Sequence, residues 1–144
     1  MKKVGTIVLF ALAAAIVGSW NAASTQAFPE FFKEFEKKYT KEAPGNDAEK
    51  MYKEKITTTK CGVCHQGKTK KVRNTYGAAI EKLIPEGTGK ALKKDPEAFG
   101  KILDKVAEQP SDDKNPTSPS FGKLITDGGL PGKDRDIPDP PAEP

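Results

Sequence analysis

The chain has 144 residues, of which 24 are Lys or Arg and 20 are Asp or Glu, for a formal net charge of +4. That length fits one small domain, and so slight an excess of base leaves no electrostatic footprint for nucleic acid. Only 35% of the residues are hydrophobic, so a core drawn from the polypeptide alone is thin.

The N-terminus opens with the basic Met1-Lys2-Lys3 and continues into an apolar run from Val4 to Val17. This is the pattern of a secretory signal, expected over residues 1–27, with small residues before a cut after Ala27. The run falls short of the roughly 20 residues of a membrane span, so contact with a membrane is expected only if the signal stays uncleaved. Removal of residues 1–27 takes two lysines and no acid, leaving 22 basic against 20 acidic residues, a charge of about +2.

From Phe28 the residues Phe28, Phe31, Phe32, Phe35 and Tyr39 recur at three- and four-residue spacing between charged ones. An amphipathic helix with an aromatic stripe is expected there, with Pro29 in its first turn. Ala43-Pro44-Gly45-Asn46 makes a turn, and Asp47 is placed to cap a second helix carrying Met51, Tyr52 and Ile56. The β-branched Thr57-Thr58-Thr59 should loosen its end.

Cys61-Gly62-Val63-Cys64-His65 follows, and it contains both cysteines and the only histidine. The spacing Cys-x-x-Cys-His is the attachment signature of a c-type haem. Two thiols three positions apart on a helical turn can each add across one vinyl group of a porphyrin, and the imidazole that follows lies under the iron as its axial ligand. A structural zinc site needs four ligands of Cys or His type, and three are present. A redox dithiol would belong beside a βαβ pattern, which is missing. A metal-free domain closed by a Cys61–Cys64 link is the remaining alternative.

Lys68, Lys70, Lys71 and Arg73 come next. They read either as a solvated basic face or as cations for the haem propionates and for an acidic partner. Arg73 suits a propionate because a guanidinium binds a carboxylate through two bonds. Asn74 is placed to cap a third helix, with Tyr76, Ala79, Ile80 and Leu83 on one face. Pro85-Glu86-Gly87 ends it. Asp95 and Pro96 start another, whose apolar face is Phe99, Ile102, Leu103 and Val106.

From Pro110 onward the composition changes, and eight of the twelve prolines lie there. Residues 110–132 are expected to form an irregular segment docked on the helical domain of residues 28–109, with a helical turn or two between Phe121 and Thr126. Residues 133–144 read as a disordered, Pro-rich tail. No period-two pattern persists and no repeat is visible, so the fold is expected to be mainly α.

The motif resembles that of c-type cytochromes. More narrowly, Lys60 to Lys68 around it, then Arg73-Asn74 and Tyr76-Gly77, resemble small exported bacterial monohaem proteins. Ser120-Phe121-Gly122-Lys123-Leu124-Ile125 and Gly129-Leu130-Pro131-Gly132 are similar to the C-terminal segment of that group. The resemblance runs from about Tyr39 to Gly132. It implies a cytochrome c-like helical domain around one covalent haem c, held by Cys61, Cys64 and His65 with Arg73 and Tyr76 beside it. The first expectation for function is an exported, periplasmic electron carrier rather than an enzyme, its Lys68, Lys70 and Lys71 docking on redox partner proteins with an acidic surface. Catalysis would want a distal acid–base group, usually His, and none is left.

The second axial ligand is open at this point. Cytochromes of the commonest type place a methionine well downstream of the motif, whereas here none follows His65 and the candidate is Met51, ten residues before Cys61. A five-coordinate iron that binds or senses a small gas is the alternative. Phe28-Pro29 also resembles the Tyr-Pro start of cytochrome f, in which the N-terminal amine holds the iron.

Overall fold

The computed structural model describes residues 28–141, so the expected signal at residues 1–27 lies outside it, as do the last three residues of the tail. The chain is mainly helical. Helix α1 spans Pro29–Tyr39 and α2 spans Asp47–Thr59, and a single 3-10 turn, Lys60–Val63, leads into a hairpin of two short strands. These are β1, His65–Gln66, and β2, Val72–Arg73, paired antiparallel with His65 opposite Arg73. Then come α3, Thr75–Leu83, α4, Gly89–Leu92, α5, Pro96–Ala107, and α6, Phe121–Thr126. Strands of two residues are too short to write an alternating pattern into the sequence, which is why the hairpin was not anticipated.

Local chemistry explains most of the boundaries. Proline occupies the first turn of α1 and of α5, where its missing N–H costs nothing. The side chains of Asn74, Asp95 and Ser120 accept hydrogen bonds from Gly77 N, Ala98 N and Lys123 N, capping α3, α5 and α6. In α2 the cap is Asn46, whose Oδ1 accepts from Glu49 N at 2.9 Å, and Asp47 is the first helical residue rather than the cap. Both side chains suit that end of a helix, and the turn decides which one faces the open amides. Thr57 to Thr59 stay helical. The break comes one residue later at Lys60, whose φ of 48° lies in the left-handed region.

Helix α5 is the hub of the core and packs against α1, α3, α4 and α6. Its Phe99, Leu103 and Val106 are buried together with Phe35 of α1, Tyr52 and Ile56 of α2, Tyr76 and Ile80 of α3, and Phe121 and Ile125 of α6. At its edge the Tyr39 hydroxyl donates to Leu103 O at 3.2 Å, and Lys38 pairs with Asp104 at 2.7 Å. After α5, Ser111 N donates to Pro119 O and Phe121 N to Gln109 O, both at 3.0 Å, and α6 packs on α5. The expectation of disorder beyond Gly132 does not hold for the described part of the tail. Gln66 Nε2 donates to Arg135 O and Ile137 O, and Asp139 is bound by the hairpin loop. These are mainly contacts to backbone, which leave no mark in tail composition.

No helix among the described residues is long and apolar enough to cross a membrane.

Candidate functional site

The Cys61-to-His65 stretch forms one wall of a cavity of about 430 Å³, within the ~300–1,000 Å³ typical of small-molecule and cofactor sites. Cys61, Cys64 and His65 all line it. The aromatic rings of Phe28, Phe31 and Phe32 line it too, with Phe99 of α5, Ile80 and Ile84 completing an apolar lining. Phe31 stacks on Phe99 with centroids 4.2 Å apart and planes 13° from parallel. The stripe of α1, legible as a core face, thus divides its work. Phe35 is fully buried in the core, and the rings at its N-terminal end face the cavity.

The motif turn is fixed from behind by Asn74. Its Nδ2 donates to Gly62 O at 3.1 Å and to Val63 O at 3.0 Å, its backbone N–H donates to Cys64 O at 3.0 Å, and its Oδ1 caps α3. One buried side chain therefore joins the turn that carries the cysteines to the helix behind it. Gly77 allows the approach, since a Cβ there would fall 2.0 Å from Cys64 O, closer than any side chain can stand. The sequence marks both residues only weakly, Asn74 as a cap and Gly77 as a glycine in a helix, where it costs about 1 kcal/mol against alanine without some compensating reason.

The side chains of the turn are electrostatically distinct. Cys61 is exposed at the lip of the cavity, and both thiols are free. Burial pushes the Cys64 thiol up to about 12, so at neutral pH it stays protonated and is a poor redox nucleophile. His65 is lowered from its ordinary value, first by burial and then by the nearby Arg73 guanidinium. The neutral imidazole, which is the metal-ligating form, is therefore favoured. Its Nδ1 is buried without a hydrogen-bond partner. Arg73 also lines the cavity, and its guanidinium pairs with Glu81 of α3 at 2.8 Å.

Two sequence candidates lie elsewhere. Tyr76 belongs to the core, fully buried and edge-on to the rings of Phe35 and Phe121 at 5.7 and 5.2 Å, and it does not line the cavity. Met51 is 67% exposed on α2, also away from the lining. Among the described residues no group of three or more His, Cys, Asp or Glu gathers in a manner that would hold a metal ion by itself. The site is instead one imidazole and two thiols on the wall of an apolar cavity. No protein-family model, curated protein or solved structure matches the chain.

Proposed function

We infer that the chain is a c-type cytochrome that carries one haem and works as an exported one-electron carrier. The observation that carries this reading is the shared cavity wall. The two thiols and the single imidazole of the chain face one apolar space of cofactor size, in the order and spacing that covalent haem attachment requires. The residues present fit that group. Cys61 and Cys64 would bond it through sulfur, and His65, with a buried unpartnered nitrogen and a lowered pKa, would ligate its iron. Arg73, held on the wall by Glu81, is the cation that a propionate would meet. When bound, the haem supplies an iron that takes up and returns one electron, at a potential set by its ligands and by the dryness of its surroundings.

The polypeptide's part is to orient, to exclude water and to leave one edge reachable. Phe28, Phe31, Phe32 and Phe99 keep the interior apolar. Cys61 is exposed beside Lys60, also on the lining, and a Cβ at Gly62 would stand 3.8 Å from Lys70 Nζ. Lys60 and Lys70 therefore put positive charge beside the exposed Cys61, which favours brief encounters with acidic partner proteins.

The placement of Met51 favours a second reading, in which His65 alone would hold the iron and the haem would supply a site for a small gas. Expression of the full chain alongside a c-type maturation system tests the parent reading. The denatured product should keep its colour and weigh one porphyrin more than the polypeptide, whereas a colourless product of bare polypeptide mass would overturn it. Rapid binding of carbon monoxide by the reduced holoprotein would then select the gas-binding reading over the closed electron carrier.

A further inference from the structure

The loop between β1 and β2 is built to hold a carboxylate. Gly67 and Lys70 both have positive φ, 69° and 56°, and the amides between them turn to one side, as in the concavities that bind anions. Lys68 N and Thr69 N donate to Oδ2 of Asp139 at 2.8 and 3.1 Å, and the Thr69 hydroxyl donates to Oδ1 at 2.5 Å. A Cβ at Gly67 would stand 2.4 Å from Asp139 Cγ, so glycine is needed for the approach as well as for the φ. The occupant comes from the far end of the chain. Gln66, buried and adjacent to His65, delivers it: its Nε2 donates to Arg135 O and Ile137 O, and its Oε1 accepts from Arg135 N at 2.6 Å. Lys133 and Thr75 exchange two further bonds at the start of the strap.

The contact is specific without being deeply held. Asp139 is exposed and Ile137 is 39% exposed, so the strap buries little apolar surface, and exposed charged contacts are individually weak. It also lies on the loop that carries Lys68 and Lys70, and on the reading proposed above Lys70 is among the charges that favour acidic redox partners. The geometry points to a carboxylate-recognition site on residues 67–70 that an Asp or Glu side chain of an acidic partner protein takes in trans and that Asp139 fills in cis, so that the tail competes with the partner and sets docking affinity. This rests on the assignment of that loop as a docking surface. A tethered competitor acts at an effective concentration of about millimolar, high enough to weaken a transient contact and low enough to yield to a partner with several such contacts.

The test uses the full-length holoprotein and a labelled synthetic peptide of residues 133–141, Lys-Asp-Arg-Asp-Ile-Pro-Asp-Pro-Pro, at fixed ionic strength. The variant is Asp139→Asn, and the control is Asp136→Asn, an exposed tail residue whose substitution changes net charge by the same amount. Asp139→Asn should bind the peptide about tenfold more tightly than the unmodified chain as the internal competitor is lost, with Asp136→Asn within about twofold of it. A peptide with Asn at the Asp139 position should lose that gain. Equal gains in both variants would reduce the effect to bulk charge and overturn the proposal, as would no gain in either. Haem content, measured on the same samples, reports separately on the parent reading, since the peptide titration does not depend on colour.

Discussion

Replacing Asn74 with alanine should cost far more than the loss of a helix cap. The cap itself, Oδ1 to Gly77 N at 3.0 Å, is worth about 1 kcal/mol. The two bonds from Nδ2 differ in consequence. Gly62 is partly exposed, so its carbonyl can turn to water, whereas Val63 is 1% exposed and its carbonyl would be left without a donor at a cost of about 1–3 kcal/mol. Together Asn74→Ala should remove about 3 kcal/mol from a domain whose whole stability is of order 5–15 kcal/mol, lowering Tm by roughly 10–20 °C. Ser120→Ala is the internal standard, because the Ser120 side chain serves as a cap alone among the described residues, accepting from Lys123 N at 3.1 Å, and should cost about 1 kcal/mol. Urea unfolding of the two holoprotein variants, followed by far-ultraviolet circular dichroism, gives the difference directly. If Asn74→Ala costs no more than Ser120→Ala, the side chain does not clamp the motif turn and the account of how the cysteines are positioned is wrong.

Gly77→Ala should be worse still, because the Cβ would overlap Cys64 O at 2.0 Å and must push α3 away from the turn. Yield of haem-loaded protein is the readout, and a normal yield would refute the close approach. In protein prepared without haem, iodoacetamide at about pH 8 should modify the exposed Cys61 well before Cys64, whose thiol is raised by burial to about 12; equal rates in peptide maps would mean that the turn is open in solution. Asp139 gives a pH dependence of known sign. The Thr69 hydroxyl, followed by the amides of Thr69 and Lys68, holds its carboxyl below the ordinary carboxylate range. A depressed folded pKa means that the strap's contribution is complete above the free-carboxyl value and fades as pH falls through the lowered one. The amide resonances of Lys68 and Thr69 should therefore hold steady near neutrality and move only below about pH 4, and a midpoint near the histidine range would contradict the assignment.

Features governed by a few adjacent residues were legible in the sequence. Asn74 and Asp95 cap helices because a short polar side chain before an apolar repeat has a fixed local use, and Pro29 and Pro96 start helices for the same kind of reason. The Cys-x-x-Cys-His spacing singled out three residues that share one cavity wall. What escaped notice depended on segments far apart in the chain. The rings of α1 look alike in a periodic pattern, yet only the cavity separates Phe31 and Phe32 from the buried Phe35. Tyr76 follows the motif by eleven residues, but helical phase turns it into the core, leaving Gly77 and Ile80 on the cavity wall. The docking of the tail rests on Gln66 meeting backbone atoms some 70 positions away, and hydrogen bonds to backbone place little demand on which residues the tail contains. The choice of Asn46 over Asp47 as cap is the smallest such case, because both side chains are competent and the preceding turn sets which one is aimed.

Met51 separates the two readings of the iron. To hold the iron, the Met51 thioether would have to reach the cavity, and Met51 sits 67% exposed on a continuous helix whose buried residues are Tyr52 and Ile56. Bringing its sulfur to the cavity would require α2 to rotate, withdrawing those two side chains from the core at about 1.5–3 kcal/mol each, and would break the Asn46 cap, a further cost of about 1 kcal/mol. With Met51 outside the cavity, Met51→Ala is an ordinary surface change, expected to alter stability by no more than about 0.5 kcal/mol and to leave the reduction potential and the carbon monoxide association rate of the holoprotein where they were. A large fall in potential together with faster carbon monoxide binding would mean that the thioether had held the iron after all. The chain would then have to repack α2 when haem is attached.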